Sequence, residues 1–225
     1  MSEVGWQGDI WLARDHAVFY GCVGDARSHA HYAHQLMVGL GQPVTVALDT
    51  GRQQASRLLI PSWQRHALQP SQMPQLVLFA EPLAFDQDTL VAWLPHCPDD
   101  PAGAQRALQQ LPRRPLDPRL QQALVELDQG LDGKVPSARL ATAASLSLSQ
   151  LARLFSDQLG VSVRRLVLWR RLHLATALVL QGYSLTDAAH HAGFADSAHL
   201  SRTVRSLLGI RADLSLTQLR VMALQ

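Results

Sequence analysis

Two cysteines, Cys22 and Cys97, are all that 225 residues hold, and neither has a partner at the short spacing of a paired-cysteine metal site. Both are read as free thiols, the default in a reducing compartment. No run of about 18 apolar residues is present, so no bilayer-spanning helix is expected. The opening Met-Ser-Glu-Val-Gly-Trp lacks a basic stretch followed by an apolar one, which excludes a secretory leader of the usual kind and points to cytoplasmic residence. Excess charge is also scarce, with a formal net of only +2. That figure hides an asymmetry. Residues 1–111 carry 6 basic and 10 acidic side chains, net −4, whereas residues 112–225 carry 14 and 8, net +6. A slightly acidic half joined to a basic half suits a sensor attached to a reader of nucleic acid.

What is present is enough apolar material, 47% of the chain, to fill two cores. Short strand-like runs occupy residues 17–21, 35–39, 44–48, 57–60 and 75–80, separated by turn residues at close intervals, as in a small barrel or jelly roll. Helical spacing follows at 85–94, opened by Asp86, and again to Leu111 after Asp99 and Pro101. Three prolines between 112 and 118 interrupt helix and mark a linker. Beyond it, Asp117 caps a helix bearing Leu120, Leu124, Leu127 and Leu131, and Ser137 caps a short helix over 138–144. Ser147 or Ser149 caps a helix running to Leu159, and Ser162 opens a connecting helix to about Gln181 with Leu166, Trp169, Leu172 and Ala175 inward. Arg164, Arg165, Arg170 and Arg171 near its start are candidate phosphate contacts. Ser184 caps the next helix, Gly193 breaks it, and a last helix starts after Asp196 or Ser197 and stops at Gly209. It buries Leu200, Val204, Leu207 and Leu208 and carries Ser197, Ala198, Ser201, Arg202 and Arg205 on its other face.

The last two helical units repeat at a constant spacing of 49 residues: Leu151, Arg153, Phe155, Leu159, Gly160 and Val161 correspond to Leu200, Arg202, Val204, Leu208, Gly209 and Ile210, and Ala143 to Ala192. Together with Leu-Ala-Arg-Leu-Phe at 151–155, Leu-Gly-Val at 159–161, Arg-Leu-His-Leu-Ala at 171–175 and Ala-Gly-Phe-Ala-Asp-Ser-Ala-His-Leu-Ser-Arg at 192–202, this repeat resembles the AraC/XylS family of transcriptional regulators over about 100 residues. The chain departs from that pattern at Val163 and Ala212, where the family often has proline, and at Val204, usually an aromatic. The resemblance implies an α+β multidomain chain. A cupin-like sensor or dimerisation barrel with short helices would occupy residues 1–111, a linker 112–118, and an all-α DNA-binding domain 119–225. Its two helix-turn-helix units, about 137–160 and 184–209, would be joined by a linker helix.

By the same resemblance Ser149, Gln150, Ala152 and Arg153 of one unit, and Ser197, Ala198, Ser201 and Arg202 of the other, would face the major groove of double-stranded DNA. Arginine pairs bidentately with guanine O6 and N7, and glutamine with adenine N6 and N7. In the N-terminal half, Ser-His-Ala-His-Tyr-Ala-His-Gln and a later Ile-Pro-Ser-Trp-Gln-Arg-His resemble the cupin pattern of metal ligands. Carried over, the ligands are His29, His31 and His66 for a divalent transition metal, with Gln35 where a cupin has glutamate and His34 as a substitute if a bulge shifts the pleat. Strand alternation would point His29 and His31 the same way. Three roles stay open for this motif: a metal centre, a small-molecule effector site lined by His31, Tyr32, Trp63 and His66, or a barrel that only packs or forms a homodimer. The resemblance implies a regulator rather than an enzyme, with RNA polymerase as a further partner if it activates. A metal-dependent cupin enzyme with an appended helical domain is the alternative.

Overall fold

The computed structural model describes residues 3–224. They form two compact units, one of residues 3–113 together with 201–224 and one of residues 114–200.

The first unit is built on two sheets. Strands β1 (Gln7–Leu12), β2 (His16–Cys22), β3 (Ala26–His29), β4 (His34–Gly39), β5 (Val44–Leu48), β6 (Gly51–Ala55), β7 (Arg57–Ile60), β8 (His66–Leu68), β9 (Gln75–Ala80) and β10 (Leu219–Leu224) make a six-stranded sheet in the order β10-β1-β2-β9-β4-β7 and a four-stranded sheet in the order β3-β8-β5-β6. In the larger sheet Val18 pairs Leu78 and Leu36 pairs Leu78 from the other side, so the central strands are buried on both faces. One face sends Val18, Leu36, Val38, Leu76 and Leu78 against Phe85, Leu90 and Leu94, and against Ala104 and Leu108 of the helix described next. Alternation sends Gln35 and Met37 to the opposite face, toward the smaller sheet.

Helices α1 (Gln87–Trp93) and α2 (Pro101–Gln110) cover the first of these faces. The cap of α2 is Asp100, which accepts from Gly103 N–H at 2.7 Å, one residue beyond the Asp99 that the sequence suggested. Asp86 does stand at the N-cap of α1, without a side-chain capping bond. Arg113 ends the unit by donating to Asp15 at 2.8 Å and lying 4.2 Å over the Phe85 ring.

The second unit contains α3 (Pro118–Gln129), capped by Asp117, α4 (Ser137–Ala143), α5 (Leu148–Leu159), α6 (Val163–Leu180) and α7 (Leu185–His191). Ser137 is the first residue of α4 rather than its cap; Pro136 occupies the N-cap with no side-chain bond. Trp169 is a core residue, 8% exposed, and Leu120, Leu127, Phe155, Leu166 and Ala175 are fully buried with it. The arginines of α6 divide by depth. Arg170 is buried 3.8 Å from Asp128, and Arg171 donates to the carbonyls of Leu131 and Gly133, so both hold the unit together; Arg164 and Arg165 remain exposed. Among the described residues no helix is long and apolar enough to cross a membrane.

Helix α8 (Ser197–Leu208) begins in the second unit and ends in the first. After a short helix α9 (Ala212–Ser215), the chain closes with β10, running parallel to β1 with Ile10 opposite Val221. A strand there adds to the helical reading of residues 119–225. Its Leu-Arg-Val-Met-Ala-Leu sequence is apolar at every position but Arg220, and its partner lies more than 200 residues away, where no local pattern points.

Candidate nucleic-acid interface and histidine centre

Helix α5 is set by its own first turn. Ser147 accepts from Gln150 N–H while the Gln150 side chain accepts from Ser147 N–H at 2.9 Å, a reciprocal capping box. Leu151, Phe155 and Leu159 point inward at 1%, 0% and 3% exposure, and Gly160 ends the helix in the left-handed region at φ 61°. The opposite face, Ser149, Gln150, Ala152 and Arg153, is exposed throughout. Arg153 reaches Asp157 at 3.3 Å, an i,i+4 pair whose side chains are 83% and 62% exposed. Such a pair is worth a few tenths of a kcal/mol at most and yields readily to a stronger acceptor. Gln150 is different. Its amide oxygen belongs to the capping box, so pairing with adenine would open the turn that starts the helix.

Helix α8 has bounds 49 residues beyond those of α5, and Gly209, at φ 70°, repeats Gly160. Asp196 Oδ1 accepts from His199 N–H at 2.6 Å at its start. Leu200 and Val204 are fully buried, Thr203 is buried beside them, and Leu207 and Leu208 are only half-buried. Ala198 and Arg202 are exposed, Ser197 and Ser201 half-exposed. The two arginines of this helix part company. Arg202 faces solvent, while Arg205, expected on the same outer face, is half-buried in an ion pair with Glu3 and donates to Gly209 O at 3.3 Å.

The second site lies between the two sheets. His29, His31 and His66 are 4%, 2% and 1% exposed, and one ligating nitrogen from each falls within 4.8 Å of the others. His29 ends β3 and His66 begins β8 directly opposite, but His31 lies past the strand, so the loop, not pleat alternation, turns it inward. Every ring uses Nδ1 on a carbonyl: His29 on Arg27 O at 2.7 Å, His31 on Ala33 O at 2.9 Å, His66 on Gln64 O at 2.9 Å. Burial, with the neighbouring histidines adding to it, pushes His29 down to about 2; burial pushes His31 to about 4 and also lowers His66. All three are therefore neutral at pH 7 with the proton on Nδ1, which leaves each Nε2 a lone pair.

Gln35 stands over this gap. Its Oε1 lies 3.0 Å from His31 Nε2 and 3.1 Å from His66 Nε2, and its Nε2 is buried with no partner among the described residues. Lone pairs on three imidazoles and one amide oxygen converging without a proton form an arrangement that a cation satisfies. Turning the amide over satisfies it equally, because the NH2 then donates to both rings. Backbone carbonyls holding the remote nitrogens of all three histidines are what a transition-metal site requires around its ligands. The donor set fits a divalent transition metal. His34 is not part of it: its Nδ1 accepts from Ser62 N–H at 3.1 Å, and burial lowers it to about 4. Of the proposed effector lining, Tyr32 and Trp63 pair with each other at 6.3 Å between ring centroids.

A family model described as a helix-turn-helix domain matches residues 140–213, the span that contains α5, α8 and the two helices between them. Residues 140–213 of this chain are a helix-turn-helix domain. The probable transcriptional regulator LumQ of Photobacterium leiognathi is 33% identical over 95 residues, which is 41% of this chain and 38% of that protein. The chain thus matches well under half the length of this relative. Over more than nine-tenths of the chain the fold is similar to ToxT of Vibrio cholerae. An apo variant gives a TM-score of 0.55 at 8% identity, covering 91% of this chain and 94% of the other. The unsaturated fatty acid-bound wild type gives 0.53 at 11%, covering 94% of each. Within the matched span Ser149, Gln150, Ala152, Arg153, Ala198 and Arg202 are exposed, and Ser197 and Ser201 half-exposed. What sequence reasoning missed is the Glu3 contact of Arg205 and the structural use of Gln150, although the Ser-x-x-Gln spacing at 147–150 is itself a capping-box signal.

Proposed function

We propose that this chain is a sequence-specific DNA-binding regulator of transcription, with α5 and α8 as its two major-groove probes and a metal-responsive N-terminal barrel. The observation that carries the reading is the repeat in three dimensions: two helices with identical spacing of bounds, cap glycine and apolar face, each with one outward arginine at the same position, Arg153 and Arg202. Ser149, Ala152, Ala198 and Ser201 around them are short enough to let the helix approach base edges. Between the probes α6 supplies 18 residues, about 27 Å at ~1.5 Å per residue, comparable with the ~34 Å that separates successive turns of the major groove.

In the barrel, His29, His31 and His66 would hold the metal through Nε2 and Gln35 would complete the set through its amide oxygen. A neutral amide has a use there that glutamate lacks, since the same side chain satisfies the empty site by turning its NH2 inward. That property suits reversible occupancy, as sensing requires. The test is selection of binding sites from a random duplex pool by the full-length protein, with and without Zn2+. The expected outcome is enrichment of one discrete site of about 15 to 20 base pairs whose affinity falls steeply with salt. A pool that stays random under both conditions overturns the DNA-reading assignment.

A further inference from the structure

The histidine centre and the end of the second recognition helix are in direct contact inside the first unit. Gly209, which terminates α8 at φ 70°, accepts from Arg27 N–H through its carbonyl at 3.0 Å. The next peptide link reaches the metal site, because Arg27 O receives Nδ1–H of His29 at 2.7 Å. A Cβ at position 209 would stand 2.3 Å from Arg27 O and 2.6 Å from His29 Nδ1, so the glycine is packed against the histidine ring itself. The side chains repeat the connection: Glu3 binds Arg27 and also Arg205 in the last turn of α8. Only glycine fits there, for steric as well as conformational reasons. The corresponding cap of α5, Gly160, has the same left-handed backbone at φ 61° but open space around its Cβ position.

We propose that occupancy of the His29–His31–His66 centre is coupled to the C-terminal end of the second recognition helix through the Arg27–Gly209 contact. The proposal rests on the metal reading of the centre given above. A cation on Nε2 fixes the ring of His29 and strengthens its Nδ1–H as a donor, which holds the Arg27 carbonyl and so the Arg27 backbone, whose N–H holds the carbonyl of Gly209. Binding at the centre therefore favours the arrangement in which α8 ends against β3. Coupling is reciprocal, so a change at Gly209 must return as a change in metal affinity.

The matched glycines supply the experiment. Full-length protein without a histidine tag is titrated with Co2+, read by its visible absorption, and with Zn2+ by competition. The wild type is expected to bind one equivalent, Gly209→Ala to bind at least ten-fold more weakly, and Gly160→Ala, which carries the same backbone strain, to stay within two-fold of the wild type. Gly209→Ala binding like the wild type overturns the coupling and leaves the metal site standing. No stoichiometric binding by the wild type overturns the metal reading and the coupling with it. Should Gly209→Ala differ from Gly160→Ala in circular dichroism, amide exchange in the wild type decides. The Arg27 N–H is expected to exchange about ten-fold more slowly with saturating Zn2+, and an unchanged rate overturns the proposal.

Discussion

Acidifying the metal-free protein from pH 7 to 5.5 is expected to remove about 3 to 5 kcal/mol of its unfolding free energy. His29, His31, His34 and His66 are held neutral by burial, with folded values lowered to about 2, about 4, about 4 and below the ordinary range, against an unfolded value near 6.5. Between those limits the unfolded chain takes up protons that the folded one refuses. The stability they contribute is therefore fully present above about pH 6.5 and is lost as pH falls through 6.5 toward 4. One unit below the unfolded value costs on the order of 1 kcal/mol for each histidine, less where the three rings of the centre interact. Asp15 does not contribute in this window. Although burial opposes its ionisation, hydrogen bonds from His16 and Arg113 outweigh that and lower it to about 2. A urea titration followed by tryptophan fluorescence reports this, since Trp6, Trp11, Trp63 and Trp93 belong to the first unit and only Trp169 to the second. A midpoint that does not move between pH 7 and 5.5 would show that these rings are not buried neutral.

The second large effect concerns the exposed arginine of α8. Arg202→Ala is expected to weaken binding to the selected site by about 1 to 3 kcal/mol, roughly five- to 150-fold, and to relax preference at one base pair while random-sequence binding barely changes. Removing a bidentate partner of guanine has this signature, because the loss occurs only where the guanine is present. A phosphate contact behaves otherwise: affinity falls alike on every sequence and the salt dependence becomes shallower. Arg205 provides the internal comparison. It lies three residues on, yet its guanidinium is engaged by Glu3, so it has no base-reading role in this arrangement. Binding curves for Arg202→Ala on the selected site and on shuffled DNA distinguish these roles, and equal losses on both would reassign Arg202 to the backbone.

How much of this was legible beforehand follows the range of the interactions. Helices α5 to α8 were readable because caps, apolar spacing and stop glycines all lie within a few residues of one another, and β5, β7 and β9 because their hydrophobic runs are local. Strands β1, β3, β6 and β8 carry a weaker signal; β3 and β8 are four and three residues long, and β6 is Gly-Arg-Gln-Gln-Ala with no apolar face to detect. The histidine triad is marked by the resemblance of its two segments to the cupin ligand pattern. The role of Gln35 needed coordinates, since it depends on which atom of each ring faces inward and on carbonyls that no motif encodes. Glu3 with Arg205, Arg27 with Gly209, and β1 with β10 join the two ends of the chain; sequence carries no local sign of contacts at such separations.

Hydroxyl-radical footprinting of the wild type on its selected site shows whether α5 and α8 each read a groove. Two protected patches about 10 base pairs apart on one side of the duplex are expected, one lost in Arg153→Ala and the other in Arg202→Ala. A single patch, or the same uniform weakening of the whole footprint in both variants, would contradict a duplicated pair of groove-reading helices.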